Sequence, residues 1–200
     1  MIESILAGLA ATSRAELISV VLGFAYSVLA VKRSRWAWAA GGLGSAILVV
    51  LAWNAKLPMQ AALQGYYVVM GVYGFWRWSK DEGEATRAVS TLPLGMHVLA
   101  CAAILLVSFA SSRLLAGQTQ AAWPFLDSFT TWGSLFATWL AAQVKLENWL
   151  YFIVFDAISI FLFGVQGLMF VALLFAAYLV VAAVGFFSWF KTWRAHAQPT

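Results

Sequence analysis

One carboxylate lies deep inside a hydrophobic stretch in the second half of the chain. Asp156 stands within an apolar run that begins at Asn148-Trp149, and Asp127 opens the apolar run before it. An ionised side chain at the centre of a bilayer costs about 2.5–3.5 kcal/mol on insertion scales, so such residues usually face a cavity. A carboxylate there can balance a positive charge, and nearby amides and hydroxyls can bind a polar group. The pattern predicts a binding cavity.

The run that opens with Asp127 places further polar groups on one helical face. Thr131, Ser134 and Thr138 follow Asp127 at intervals of four, three and four residues, which is the spacing of one face of an α-helix. Thr131 and Ser134 are candidates for the site. For Thr138 an alternative remains open, because serine and threonine hydroxyls in helices often bond their own backbone carbonyls.

A second face lies on the following run. Asn148, Phe152 and Asp156 share it at intervals of four residues, with Trp149 beside them. Two alternatives remain: Asp156 bonds a hydroxyl on a neighbouring helix, or Trp149 anchors the chain at the membrane interface, where tryptophan is enriched.

Two further apolar runs carry amide, aromatic and glycine residues at helical spacing. Gln64, Tyr67 and Trp78 share a face with glycines, and Tyr178 and Trp189 repeat this theme late in the chain. Glycines in such positions allow helices to approach closely. The candidate substrate-binding residues are Gln64, Tyr67, Trp78, Thr131, Ser134, Asn148, Trp149, Phe152, Asp156, Tyr178 and Trp189.

The composition determines the setting of these residues. The chain of 200 residues is 63% hydrophobic and 10% charged, whereas soluble domains carry about 25% charged residues. We therefore predict an all-α integral membrane protein, since long apolar runs recur without strand-like alternation. The net charge of +4 is scattered rather than gathered on a basic face, which argues against a nucleic-acid partner. Cys101, the one cysteine, is expected to be a small buried packing residue.

Seven segments are long enough to cross a bilayer. They run roughly over residues 15–31, 36–53, 58–78, 92–112, 126–144, 149–164 and 168–190. Residues 1–12 read as an interfacial lead-in helix rather than a signal peptide. If the N-terminus is outside, nine Lys and Arg residues lie inside and three outside. The positive-inside rule therefore favours an external N-terminus and an internal C-terminus.

The chain also matches itself, which indicates two copies of a three-helix unit. Residues late in the chain repeat residues that stand 111 positions earlier, and a two-residue shift extends the match upstream. The matched pairs are Tyr67 with Tyr178, Gly74 with Gly185, Trp78 with Trp189, Lys80 with Lys191, Lys32 with Lys145 and Trp36 with Trp149. We predict a 3+1+3 parallel-repeat arrangement: a lead-in and first repeat over 1–80, a linker with the fourth helix over 81–122, and the second repeat with a tail over 123–200. Gln64 has Phe175 at its matching position, so the halves differ, which suits one asymmetric ligand.

No catalytic set, resident cofactor or metal site emerges from the sequence. His97 and His196 are far apart, neither has a second metal ligand at helical spacing, and no phosphate-binding glycine loop with a lysine is present. A cavity of aromatics, amides, hydroxyls and one carboxylate suits a flat cationic heterocycle with a polar arm. A phosphorylated ligand fits it poorly, because no inward-facing arginine cluster is evident.

Two stretches carry a resemblance to a known family. They are Gln64-x-Tyr66-Tyr67-x-x-Met70-x-x-Tyr73-Gly74, and Asp127-x-x-Thr130-Thr131-x-x-Ser134 with Lys145-x-x-Asn148-Trp149 and Asp156. From about residue 17 to residue 189 the chain resembles the PnuC family of vitamin transporters.

The resemblance implies a seven-helix, SWEET-like fold and a homotrimer in the bacterial inner membrane. It implies a protein that is not an enzyme and that facilitates diffusion of nicotinamide riboside, which a cytoplasmic kinase then traps by phosphorylation. Thiamine or riboflavin, carried by some relatives, remains an alternative cargo. A non-transporting membrane enzyme or subunit is the alternative from a different class. By position, Gln64, Asn148, Trp149 and Asp156 match family residues at or near the site. Phe152 departs from the family, since many members have a second tryptophan there.

Overall fold

The long apolar runs become helices, as their composition predicts. The computed structural model describes residues 3, 12–56, 58–80, 88–115 and 123–197. Within these ranges it contains seven long helices and no strand, which confirms the predicted class and the seven segments. They are α1 (Arg14–Val31), α2 (Trp36–Asn54), α3 (Pro58–Ser79), α4 (Leu94–Leu115), α5 (Pro124–Ala142), α6 (Asn148–Val165) and α7 (Met169–Ala197). The lead-in helix expected over residues 1–12 lies almost wholly outside the described residues.

The helix boundaries follow from local chemistry. Ser13 and Glu16 form a capping box at the start of α1: the Ser13 Oγ accepts from the Glu16 N–H at 3.2 Å, and the Glu16 carboxylate accepts from the Ser13 N–H at 2.6 Å. Helix α5 begins with Pro124 and carries Asp127 in its first turn, where an acid complements the helix dipole. The last helix continues past the predicted boundary at residue 190, since nothing in its final turns interrupts it.

Five of the seven described helices are long and apolar enough to cross a membrane by length and hydropathy. The two others, α3 and α5, are 22 and 19 residues long, so they fall short in hydropathy rather than in length. They carry Gln60, Gln64, Asp127 and a run of hydroxyls. A helix with this many polar groups must turn them toward protein or water, because lipid offers no hydrogen-bond partner.

Packing divides the described helices into two groups. Neighbouring helices pack together within α1–α2–α3 and within α5–α6–α7. The two groups meet where α1 packs against α7 and where α3 packs against α5. Helix α4 packs against α5, and its His97 also hydrogen-bonds Tyr151 of α6 at 3.0 Å. Cys101 on α4 is exposed, so the expectation that it is buried is wrong.

Two glycines hold tryptophan rings at corresponding places in the two groups. A Cβ on Gly74 would lie 2.1 Å from the Trp38 ring, and a Cβ on Gly185 would lie 2.6 Å from the Trp149 ring. The predicted pairing of Trp36 with Trp149 is therefore wrong by two residues. Trp36 is 57% exposed, whereas Trp38 is 2% exposed and stands 111 residues before Trp149. With Trp38 in this place, the upstream shift is unnecessary here.

Other features recur at the same interval. The indole N–H of Trp78 donates to the Ala142 carbonyl and that of Trp189 donates to the Val31 carbonyl, each at 3.1 Å. Left-handed backbone occurs in the loops after α1, α2, α5 and α6, at Arg33, Lys56, Val144 and Gly167, again in pairs 111 residues apart. These matches support the predicted duplication and its 3+1+3 arrangement, which stay predictions.

The contact between Gly74 and Trp38 leads to a stability prediction. Replacing Gly74 with Ala places a methyl group inside the Trp38 ring, and overpacking of this kind costs about 1–3 kcal/mol. We expect Gly74→Ala to lower the thermal unfolding midpoint of the detergent-solubilised protein. Gly65→Ala in the same helix is the matched control, because a Cβ at Gly65 meets nothing within 4 Å. Equal midpoints for the two variants would contradict the packing described here.

Candidate functional site

A cavity of about 760 Å³ lies between the two helix groups. Its described lining comes from α1, α2, α3, α5, α6 and α7, together with Thr12 and Trp123 just before α1 and α5. Helix α4 contributes none of the described lining residues. The two polar helices α3 and α5 face this space, which accounts for their low hydropathy.

The cavity has an open and a closed end. Its mouth is formed by five exposed residues at the ends of α1, α3, α5 and α6. They are Glu16, Gln60, Trp123, Asp127 and Gln166. Its closed end is formed by Trp38, Asn148, Trp149 and Trp189, each no more than 4% exposed. The cavity therefore runs inward from one face of the helix bundle and stops at a layer of indole rings.

The structure brings ten of the eleven candidate residues to this cavity. Those in the lining are Gln64, Tyr67, Thr131, Ser134, Asn148, Trp149, Phe152, Asp156, Tyr178 and Trp189. Trp78 is the exception: it lies behind the lining, wholly buried, with its ring edge-on to Trp38 at 5.5 Å. The prediction that Trp78 lines the site is therefore wrong for this conformation.

Asp156 lies on the cavity side of α6 and is 7% exposed. Its side chain has no hydrogen-bond or ion-pair partner among the described residues, so the alternative of a structural bond to a neighbouring hydroxyl is not what the structure shows. A carboxylate that lacks a protein partner inside a cavity is suited to a cationic ligand.

The hydroxyls of α5 divide between backbone bonds and the cavity. Thr138 donates to the Ser134 carbonyl at 2.8 Å, and Thr130 donates to the Asp127 carbonyl at 3.0 Å. The backbone alternative for Thr138 is thus confirmed, although its side chain still borders the cavity. Gln143 is absent from the described lining and donates to the Tyr73 hydroxyl at 2.6 Å, which ties α5 to α3.

Several lining residues were missed from the sequence. Trp38 and Glu16 stand 111 residues before Trp149 and Asp127, so the constant repeat interval was the signal that could have found them. Ser45, which precedes Asp156 by the same interval, also lines the cavity. Gln60 and Gln166 look like ordinary polar residues at helix ends, and the sequence alone gives no sign that they border the mouth.

The electrostatics of the cavity are one-sided. Its lining includes three carboxylates, on Glu16, Asp127 and Asp156, and no described lining residue is Lys, Arg or His. Eleven lining residues are aromatic, and aromatic faces attract cations. The site can therefore bind a flat, positively charged molecule and is unfavourable for an anion. Among the described residues, no three His, Cys, Asp or Glu side chains are grouped as metal ligands.

A family model described as "Nicotinamide mononucleotide transporter" matches residues 13–191. The chain belongs to this family. Its members include the PnuC vitamin transporters, which are transporters and not enzymes, so the predicted recognition is confirmed. The family assignment explains why the polar groups converge on a passage-like cavity and not on a catalytic set.

Relatives with established names are distant. The riboflavin/roseoflavin transporter RibM of Streptomyces davaonensis is 22% identical over 190 residues, covering 92% of this chain and 88% of RibM. The nicotinamide riboside transporter PnuC of Escherichia coli is 22% identical over 171 residues, covering 72% of each chain. The crystal structure of the vitamin B3 transporter PnuC superposes with a TM-score of 0.70 at 22% identity, over 91% of this chain and 83% of that one. At this identity the structural likeness establishes the fold alone.

The unpartnered carboxylate on α6 leads to a prediction about stability. Replacing Asp156 with Leu removes an ionisable group from bilayer depth, and the cavity has room for the larger side chain. We expect the variant to unfold at a higher temperature, with a gain of about 2 kcal/mol, and to lose affinity for a cationic ligand. Asp127→Leu at the exposed mouth is the control, with an expected change within about 0.5 kcal/mol. Loss of stability in Asp156→Leu would show that the carboxylate has a structural partner.

Proposed function

We propose that this transporter of the PnuC family carries nicotinamide riboside across the bacterial inner membrane. The observation that carries the proposal is the charge of the cavity: three carboxylates and no basic group among its described lining residues. Nicotinamide riboside is a pyridinium cation with an uncharged sugar. The carboxylate of Asp156 balances the ring charge, while the hydroxyls of Thr131 and Ser134 and the amide of Gln64 suit the sugar and the carboxamide.

The same charge distribution argues against a phosphorylated cargo. Phosphate binding in proteins uses Arg and Lys side chains or helix N-termini, and a phosphate inside this cavity would face carboxylates instead. Although the family description names the mononucleotide, we infer that the riboside is the form carried here.

This preference also makes transport directional without an energy source. The protein equilibrates the riboside down its gradient, and phosphorylation in the cytoplasm converts it into a form that the cavity excludes. Uptake then continues as long as the intracellular riboside is consumed.

Riboflavin is the second candidate cargo, because RibM aligns with a larger share of this chain than the E. coli PnuC does. Phe152 is a weaker cation partner than the tryptophan found there in many family members, which also lessens the preference for a charged ring. Thiamine, a cation with a flat ring, is the third cargo to compare.

The architecture belongs to the proposal. We propose that residues 1–80 and 123–200 contain the two repeats, that 81–122 contain the linking helix α4, and that three copies assemble into a homotrimer. Basic residues crowd the end of the bundle beyond the closed end of the cavity, including Lys32, Arg35 and Lys145. By the positive-inside rule this end faces the cytoplasm, so the mouth opens outward.

Proteoliposomes test the proposal directly. We expect labelled nicotinamide riboside to enter vesicles down its gradient, without a sodium or proton gradient, and to be competed by unlabelled riboside but not by the mononucleotide. Riboflavin and thiamine are assayed in parallel. Faster uptake of either vitamin would replace the riboside as cargo, and dependence on an ion gradient would contradict facilitated diffusion.

Asp156→Asn tests the role of charge in the same assay. Loss of one ion pair in a partly desolvated site removes about 1–3 kcal/mol of binding, so we expect the half-saturating riboside concentration to rise roughly tenfold or more. Uptake of a neutral cargo should change much less. Ser159→Ala, one turn further along the same face, is the matched control.

A further inference from the structure

Four indole rings form a continuous layer at the closed end of the cavity. Trp38 meets Trp78 edge-on at 5.5 Å, Trp78 meets Trp189 at 6.3 Å, and Trp149 meets Trp189 edge-on at 5.4 Å. Each ring is at most 4% exposed. The layer contains a ring from each of α2, α3, α6 and α7, so it spans both helix groups.

Two of the rings bond across the junction between the groups. Trp78 of α3 donates to the carbonyl of Ala142, the last residue of α5, and Trp189 of α7 donates to the carbonyl of Val31, the last residue of α1. These two bonds lie at the two places where the groups pack against each other, α3 on α5 and α7 on α1. Any separation of the groups at this end breaks both of them.

The other two rings are in the opposite condition. The indole N–H groups of Trp38 and Trp149 are buried and have no hydrogen-bond partner. The amide oxygen of Asn148, beside Trp149, is also buried and unpaired. Buried polar groups in native proteins are nearly always hydrogen-bonded, so each exception calls for an explanation.

We propose that this tryptophan layer is the inner gate of the transport path. Trp78 and Trp189 hold the gate closed, while Trp38, Trp149 and Asn148 acquire partners, from water or cargo, when it opens. Opening therefore exchanges two hydrogen bonds for three newly satisfied polar atoms. That exchange keeps the open and closed states close in free energy, as a carrier without an energy source requires, since a minor state must be populated to be used. The inference rests on the proposed function in one respect: the cavity must be a passage.

The two pairs of rings predict opposite effects, which a purely structural role would not give. Trp78→Phe with Trp189→Phe keeps most of the ring volume but removes both cross-junction bonds, so it favours the open gate. Trp38→Phe with Trp149→Phe removes two unpaired donors, so it favours the closed gate. Trp36→Phe with Trp76→Phe is the matched control, because both of these rings are more than half exposed.

Thiol accessibility measures the state of the gate without any cargo. Cys101→Ser removes the one native cysteine, and Ser45→Cys places a reporter in the cavity wall. A membrane-impermeant maleimide is added to sealed vesicles from the side opposite the mouth. We expect labelling from this side to rise about tenfold in the Trp78/Trp189 variant, to fall in the Trp38/Trp149 variant, and to stay unchanged in the control.

The outcomes separate the gate from the cargo. Changes of the same sign in both variants, or equal labelling in all of them, would overturn the gate. Absence of labelling from this side in every variant would overturn both the gate and the passage. The expected labelling pattern combined with failure of riboside uptake would keep the gate and reject only the cargo. If the Trp78/Trp189 variant does not fold, the predicted fall in the Trp38/Trp149 variant still tests the gate.

Discussion

Lipid cannot hydrogen-bond, and this constraint shapes the rest of the molecule. Every polar side chain within the spanning helices must find protein, water or cargo. In α3 and α5 such side chains are numerous enough to lower the hydropathy of the whole helix, and both helices turn them toward one space. The surrounding helices are more apolar and present large exposed hydrophobic residues outward. The cavity is thus the place to which the sequence's polar groups are confined.

Most of the fold could be predicted because length and apolarity decide it. The seven predicted segments agree with the observed helices to within a few residues, except that α7 runs on to Ala197. That extension was missed because hydropathy marks where lipid ends, while a helix ends only where its backbone is interrupted. Lys191 and Arg194 are unsuited to lipid but compatible with the last turns of a helix.

The site was predictable in part, and its gaps have physical causes. Helical spacing identified the face of α6, since Asn148, Phe152 and Asp156 all border the cavity. Trp36 and Trp38 cannot be distinguished by residue type, because tryptophan suits both a membrane interface and a buried contact. Their fates depend on Gly74, which leaves space for one ring. Trp78 was placed in the lining by its spacing, but the Trp38 ring intervenes.

The bonds that join the two helix groups end on main-chain carbonyls, at Val31 and Ala142. A main-chain acceptor survives any substitution of the residue that carries it. The acceptors therefore place no demand on the side chains at these positions, which already differ. Mutations that reshape one wall of the pocket need no compensating change at this seam, so the two copies were able to diverge in evolution, Gln64 against Phe175 and Ser45 against Asp156, without losing their attachment to each other.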